Sequence, residues 1–122
     1  MANEISLRVK LSAKKYTAEL SLTYAKFISM AGSKMHKSVQ NIGTTAEAIV
    51  YGDMTSADVG LIVIRNLSTA YFVQISLDYS VTNQIFAKLL PGQMLLLPPK
   101  TATLYAKSSA ATSDIEIIAT QL

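Results

Sequence analysis

Hydrophobic and polar residues alternate along the first part of the chain. Aliphatic side chains occupy every second position at Ile5, Leu7, Val9 and Leu11, and the alternation resumes from Tyr16 to Tyr24. Successive side chains of a β-strand point to opposite faces, so each segment predicts a half-buried strand. With Lys14 and Lys15 as the connection, the two strands predict an antiparallel hairpin. The register directs Tyr16 and Tyr24 toward the core, together with the leucines between them.

The segment from Tyr24 to Met35 fits two periods. Its large apolar side chains match a helical stripe, but Gly32 and Ser33 interrupt that stripe after about two turns. The pattern favours a strand that continues to about Met30, a turn at residues 31–33 and a return strand over residues 34–42.

A capping pattern comes next in the chain. Thr44, Thr45 and Glu47 are residues of the kind that begin a helix, and Gly52 is of the kind that ends one. Together they predict one helical turn over residues 46–51.

Short strands dominate the second half of the sequence. The β-branched run Val59–Ile64 predicts a central strand buried on both faces, and residues 71–77 follow at hairpin distance after a turn over 65–69. Asp78 to Asn83 read as a loop, and Pro91–Gly92 as a tight turn. Further strands are predicted over residues 85–89, 94–97, 104–107 and 115–119, with the last two as a pair.

This spacing of strands and turns predicts an all-β fold. The expected architecture is an antiparallel β-sandwich of about eight to ten short strands, of which a jelly roll is one form. A length of 122 residues and a hydrophobic content of 50% favour one domain over residues 1–122, with residues 1–30 as an N-terminal arm or hairpin. The first residues lack the basic and apolar blocks of a signal peptide, so we expect folding in a cytosol.

Few residues could carry out catalysis. The chain has no cysteine and one histidine, His36, which lies beside Lys37 with no carboxylate near it in sequence. Glu47, Asp53 and Asp58 lack the alternate spacing of a calcium-binding loop. We therefore predict a protein that is not an enzyme and has no cofactor and no metal site.

Positive charge is concentrated toward the N-terminal side. Residues 1–40 carry seven basic and two acidic side chains, a net charge of +5, whereas residues 41–122 carry a net charge of −2. Such a region suits an acidic protein surface. The candidate partner-binding residues are Arg8, Lys10, Lys14, Lys15, Lys34 and Lys37. A nucleic-acid-binding β-barrel is an alternative, although the chain has only two arginines and nucleic-acid sites commonly rely on arginine.

Three pairs of fragments resemble a known class of proteins. They are VQNIGTTAEAI at 39–49 with Gly52–Asp53, GLIVIRNL at 60–67 with YFVQI at 71–75, and LLPGQ at 89–93 with LYAK at 104–107. Their order resembles that of small β-sandwich virion proteins of tailed bacteriophages. The resemblance covers roughly residues 35–122 and contains no catalytic signature.

The resemblance implies a structural role in a virion assembled in the host cytoplasm. The implied function is decoration or cementing of a capsid surface, and an adaptor at the head–tail junction or the tail is the alternative. The implied partners are the major capsid protein or another virion protein. High apolar content favours a homo-oligomer as well. We expect no membrane partner, because no stretch approaches the ~20 apolar residues of a membrane span. A carbohydrate-binding sandwich is disfavoured by the absence of tryptophan.

Overall fold

The computed structural model describes residues 4–30, 32–55, 57–77, 84–99 and 103–121, which form β-strands and contain no helix. The strands are β1 (Ile5–Lys15), β2 (Ala18–Ile28), β3 (Met35–Ile42), β4 (Glu47–Ala48), β5 (Val59–Asn66), β6 (Val73–Ser76), β7 (Ile85–Leu89), β8 (Met94–Leu97), β9 (Tyr105–Ser108) and β10 (Ser113–Gln121). The chain divides into two compact units, Met1–Gly32 and Ser33–Leu122. All paired strands are antiparallel, which confirms the predicted all-β class.

The first unit is a hairpin formed by β1 and β2. The two strands pair along their full length, from Ile5 opposite Ile28 to Lys15 opposite Ala18. The predicted connection at Lys14 and Lys15 is wrong, because both residues belong to β1 and the turn lies at Tyr16–Thr17. Tyr16 adopts a φ of 55°, the left-handed conformation that tight two-residue hairpin turns require.

The second unit consists of two four-stranded sheets. The strand order is β3-β10-β5-β8 in the first sheet and β4-β9-β6-β7 in the second. The strands pair in a nested manner, β3 with β10, β4 with β9, β5 with β8 and β6 with β7. The strands of the first half of this unit therefore pair with those of the second half in reverse order. Successive pairs belong alternately to the first and the second sheet.

The core lies between the two sheets and is built from alternate positions of each strand. Ile115 and Ile117 of β10 are fully buried, whereas Glu116 between them is half-exposed. The second sheet contributes Val73 and Ile75 of β6, which are also fully buried. This alternation explains why the period-two pattern of the sequence locates the strands so well.

The strand positions were predicted better than their pairings. The predicted strands over 85–89 and 94–97 coincide with β7 and β8. The expected hairpins of β5 with β6 and of β9 with β10 are wrong, because in each case the two strands belong to different sheets. The strand over 34–42 likewise pairs with β10 rather than returning along β2. The predicted loop Asp78–Asn83 lies outside the described residues.

The predicted helical turn over residues 46–51 is also wrong. Glu47 and Ala48 form the short strand β4, and the backbone N–H of Ile49 donates to the carbonyl of Leu104 at 2.9 Å. The Glu47 carboxylate accepts a hydrogen bond from the N–H of Gly43, 2.5 Å away, and so stabilises a turn instead of a helix start. Pairing with β9 satisfies the backbone of this segment better than one isolated helical turn would.

The side chain of Gln40 on β3 covers part of the free edge of β4. The amide of Gln40 donates to the carbonyl of Ala48 at 2.9 Å and accepts from the N–H of Val50 at 3.0 Å. These two bonds replace strand-to-strand hydrogen bonds at an edge of the second sheet. Covered edges of this kind reduce unwanted pairing with other chains.

Candidate protein-interaction surface

The hairpin register separates apolar and polar side chains onto opposite faces. Directly opposed residues share a face, so the pairs Val9–Tyr24 and Leu11–Leu22 lie together. The apolar face consists of Ile5, Leu7, Val9, Leu11, Ala13, Leu20, Leu22, Tyr24 and Ile28. This face extends along the whole hairpin, in agreement with the predicted alternation.

The apolar face remains open to solvent over its outer part. Leu11, Leu20, Leu22 and Tyr24 are between 42% and 58% exposed. The prediction that Tyr16 and Tyr24 point toward a core is therefore wrong. Tyr16 lies in the turn and is 88% exposed, with the Lys15 ammonium 5.8 Å from its ring centre. Alternation indicated which side chains share a face, but a face is buried only where a second layer covers it.

The opposite face of the hairpin is basic. Arg8, Lys10 and Lys14 lie at alternate or near-alternate positions of β1, and we call these three residues the basic face. Ala25 lies opposite Arg8 and Thr23 opposite Lys10, whereas Glu19 lies opposite Lys14 on the same face. Phe27 is the one large apolar side chain in this register and is 59% exposed.

The structure brings together only some of the predicted partner-binding residues. Arg8, Lys10 and Lys14 share the basic face, whereas Lys15 lies in the register of the apolar face, at the tip of the hairpin. Lys34 and Lys37 belong to the second unit.

Lys34 is engaged within its own unit. Its ammonium lies 2.9 Å from Oδ2 of Asp58, and the same carboxylate oxygen accepts hydrogen bonds from the N–H and the hydroxyl of Thr55. The Lys34 side chain and the Thr55 backbone lower the pKa of the Asp58 carboxyl below its usual value. Lys37, by contrast, is exposed on the outer face of the first sheet, opposite Ile118. No salt bridge between described residues involves Lys37.

The net charge also differs between the units. Residues 1–32 carry five basic and two acidic side chains, a net charge of +3, whereas residues 33–122 carry six of each sign. The hairpin thus accounts for the entire net charge of the chain. An electropositive hairpin is attached to a sandwich that is neutral overall.

The outer face of the first sheet carries both apolar and charged side chains. One row across the four strands contains Val39, Glu116, Arg65 and Met94. Val39 and Met94 are more than half exposed, and the two charged residues between them form a salt bridge at 3.2 Å. The two charges in this row neutralise each other, and the same face also carries Lys37 and Asp114.

His36 and Tyr51 of the second unit lie in packed surroundings. The Nε2 of His36 lies 2.8 Å from the hydroxyl of Ser38, and its ring packs against Gly52. Burial raises the pKa of the Tyr51 phenol, so this group remains protonated over the ordinary pH range. No group of three or more histidine, aspartate or glutamate residues suited to a metal ion occurs among the described residues.

Comparisons with protein-family models, with curated proteins and with solved structures gave no match. In the described part of the chain, no helix has the length and apolar character needed to cross a membrane. The two faces of the hairpin are the features of this chain that bear most directly on its function.

Proposed function

We propose that this protein is a non-enzymatic virion structural protein that binds and stabilises a phage capsid surface, in the manner of a decoration or cement protein. The observation that carries the proposal is the hairpin, which combines exposed apolar side chains with the whole net charge of +3. Contiguous exposed apolar surface on a small protein marks an interaction site. A basic face beside it favours an acidic protein partner.

The second unit supports the same role. Its strand orders, β3-β10-β5-β8 and β4-β9-β6-β7, with four nested antiparallel pairs, support the assignment of an eight-stranded jelly roll. Jelly rolls are a frequent architecture of viral shell proteins. We therefore propose a jelly roll as the finer description of the sandwich, and the virion as the place where it acts.

In this proposal the basic face makes the first contact with the capsid. Arg8, Lys10 and Lys14 attract an acidic surface over a distance that falls as salt concentration rises. A modest contact suffices, because decoration proteins bind one particle in many copies and avidity multiplies the affinity. The same surface chemistry serves a head–tail or tail-associated adaptor, which is the alternative within this class.

Co-sedimentation with purified phage particles tests the proposal. We expect the protein to pellet with capsids, and the triple variant Arg8→Gln, Lys10→Gln, Lys14→Gln to bind at least about fivefold more weakly at low salt. The matched control is Lys88→Gln with Lys107→Gln, which removes positive charge from the second sheet. Pelleting with isolated tails but not with capsids would favour the adaptor. A protein that associates with neither would refute the structural role.

A nucleic-acid-binding function has one observation in its favour. Phe27 is exposed in the same register as Arg8 and Lys10, and single-stranded nucleic acids bind where aromatic rings accompany cations. Fluorescence anisotropy with a labelled single-stranded oligonucleotide separates the two functions. The capsid proposal would give way to nucleic-acid binding under three results together. The protein binds the oligonucleotide in a salt-sensitive way, Phe27→Ala loses that binding, and the protein does not bind capsids.

A further inference from the structure

The outer face of the second sheet combines lysine and aromatic side chains. In one row across its strands, Lys107 of β9 and Lys88 of β7 lie on either side of Gln74 of β6. Their neighbours along the strands, among them Val73 and Ala106, are buried in the core, so alternation directs the side chains of this row outward. Adjacent strands lie about 4.8 Å apart, so the row carries two cations whose backbones are about 10 Å from each other.

Three aromatic residues border this row on the same face. Phe72, Phe86 and Tyr105 each come directly before a residue that packs in the core, so alternation places their rings on the outer side. Phe86 is 44% exposed, and the other two rings are partly buried. The ammonium of Lys88 lies 4.3 Å from the centre of the Phe72 ring, a cation–π contact that holds the lysine on the face of the sheet. We define the lysine–aromatic surface as Phe72, Gln74, Phe86, Lys88, Tyr105 and Lys107.

Positive charge on the lysine–aromatic surface is not balanced by carboxylates of the same sheet. The four strands of the second sheet contain one acidic residue, Glu47, which lies opposite the buried Ala106 and accepts a hydrogen bond from the N–H of Gly43. Glu47 therefore belongs to the register of the core and not to that of the lysines. The outer face of the first sheet differs, because its strands place equal numbers of cations and carboxylates there, namely Lys37, Arg65, Asp114 and Glu116.

We propose that the lysine–aromatic surface binds single-stranded nucleic acid. Single strands bind where cations contact the phosphates and aromatic rings stack on the bases, and this surface carries both groups on one face. A four-stranded sheet with aromatic side chains on its face is an established platform for unstacked bases. Lysine acts on a phosphate as a point charge, whereas arginine forms paired hydrogen bonds, so Lys88 and Lys107 favour binding that is independent of base sequence.

A duplex or an acidic protein fits this surface less well. The bases of a duplex are stacked on one another inside the helix and offer no free face to an aromatic ring such as Phe86. An acidic protein would engage Lys88 and Lys107, but its affinity would not require a ring at position 86.

This site goes beyond the capsid proposal and does not depend on it, because the hairpin contributes none of its residues. It is also separate from the nucleic-acid function considered for the hairpin, which requires Phe27.

Fluorescence anisotropy with a fluorescein-labelled oligothymidylate of about 12 nucleotides tests the site. The slope of log K against log salt concentration is about −0.7 for each phosphate that a protein neutralises on a single strand, so two lysines predict about −1.4. Lys88→Gln with Lys107→Gln should weaken binding at least about tenfold at low salt and remove most of this slope. Lys10→Gln with Lys37→Gln removes two cations from other faces and is the matched control, which should keep the native affinity.

Substitution of Phe86 tests base stacking separately from charge. Phe86→Leu keeps an apolar side chain but has no ring, so binding should weaken by about fivefold or more with the salt slope unchanged. Phe86→Tyr should bind as the native chain does. Phe27→Leu, which removes an exposed ring from the hairpin, is the matched control and should have no effect.

Photo-cross-linking tests the same site in the native chain and so does not depend on the folding of any variant. An oligonucleotide that carries 5-iodouracil should attach to Phe72, Phe86 or Tyr105, and mass spectrometry of the digested protein locates the adduct. Attachment confined to Tyr16 or Phe27 would place the strand on the hairpin and refute the site.

Three results would overturn the inference. The native chain does not bind the oligonucleotide at low salt, or its binding is unchanged when Lys88 and Lys107 are replaced. In the third, binding requires the lysines but is equal in Phe86→Leu and is matched by heparin, which would assign the surface to polyanions in general. The double lysine variant should still pellet with capsids, so failure of this site and failure of the capsid proposal are distinguishable.

Discussion

The side chain of Asn66 at the end of β5 donates a hydrogen bond to the carbonyl of Leu89 at the end of β7, at 2.9 Å. β5 belongs to the first sheet and β7 to the second, so this bond joins the two layers of the sandwich. The same amide nitrogen also donates to the carbonyl of Tyr71, and its oxygen accepts from the N–H of Ser68. Asn66 is fully buried, and its side chain satisfies three backbone groups at the point where the chain crosses between sheets.

Substitution of Asn66 should lower stability markedly. In Asn66→Ala the carbonyls of Tyr71 and Leu89 and the N–H of Ser68 lose their partner. Each unsatisfied buried group costs about 1–3 kcal/mol, and partial relaxation leaves an expected loss of about 2–4 kcal/mol. Urea unfolding followed by tyrosine fluorescence measures it. Asn41→Ala, which removes an exposed bond to Asp114, serves as control and should cost under about 1 kcal/mol.

Gly52 cannot be replaced by alanine without two penalties. Its φ is +61°, and an added Cβ would lie 2.6 Å from Nδ1 of His36. The left-handed backbone costs an alanine about 1–2 kcal/mol, and the crowding of the imidazole adds about 1–3 kcal/mol. Thermal or chemical unfolding of Gly52→Ala should therefore show a loss of about 2–5 kcal/mol.

Gly92 provides the matched comparison. It has a φ of +80° in the turn after Leu90 and Pro91, but no atom lies within 4 Å of the position that its Cβ would take. Gly92→Ala should cost only the backbone share, about 1–2 kcal/mol. In a double-mutant cycle, His36→Ala should recover part of the loss caused by Gly52→Ala. A Gly52→Ala loss equal to that of Gly92→Ala would contradict the contact with His36.

The stability of the second unit should depend on the charge of Asp58. Lys34 and Thr55 lower the pKa of this carboxyl in the folded protein relative to the unfolded chain, so its ionised form stabilises the fold above the unfolded pKa. That contribution decreases as the pH falls through the lowered folded pKa. Asp58→Asn should therefore be less stable than the native chain at neutral pH and approach it in strong acid. Unfolding curves at several pH values measure the difference.

The exposed Asp53 offers a control for this pH dependence. Asp53→Asn removes a carboxylate outside the contact of Asp58 with Lys34 and Thr55, so the difference between the two variants isolates that contact. A constant difference between Asp58→Asn and the native protein from neutral to strongly acidic pH would show that the ionised carboxylate does not stabilise the fold.

The buried hydroxyls of Ser108 and Ser113 should behave as a coupled pair. Their oxygens are 2.8 Å apart, at the end of β9 and the start of β10. Either single alanine variant leaves one buried hydroxyl without this partner and should cost about 1–2 kcal/mol. The double variant should cost less than the sum of the two, by about 1 kcal/mol, because both polar groups are removed. Additive losses, with the exposed Ser109→Ala as the unaffected control, would argue against the coupling.

Strand positions were accessible from sequence, because alternation is a local property of an extended backbone. The pattern at Ile115 and Ile117 assigns both side chains to one face whatever that strand pairs with. The helical turn was mispredicted because Glu47 fits a helix start by residue type, whereas pairing of β4 with β9 is a contact between residues far apart in sequence. The same alternation predicts that Arg8, Lys10 and Lys14 share one face of the hairpin. The salt bridge of Lys34 with Asp58 was not predicted, because the two residues are far apart in sequence.

By itself, the sequence determined that the chain is all-β, where most of its strands lie and which side chains share a face. Only the tertiary structure decided which strands pair, because short connections such as Pro91–Gly92 join neighbours in one sheet as readily as they cross to another. It also decided that Leu11, Leu20 and Leu22 of the hairpin are more than half exposed while Ile115 and Ile117 of β10 are buried. Burial requires a second layer of structure, and the presence of that layer is not encoded in the local alternation of either strand.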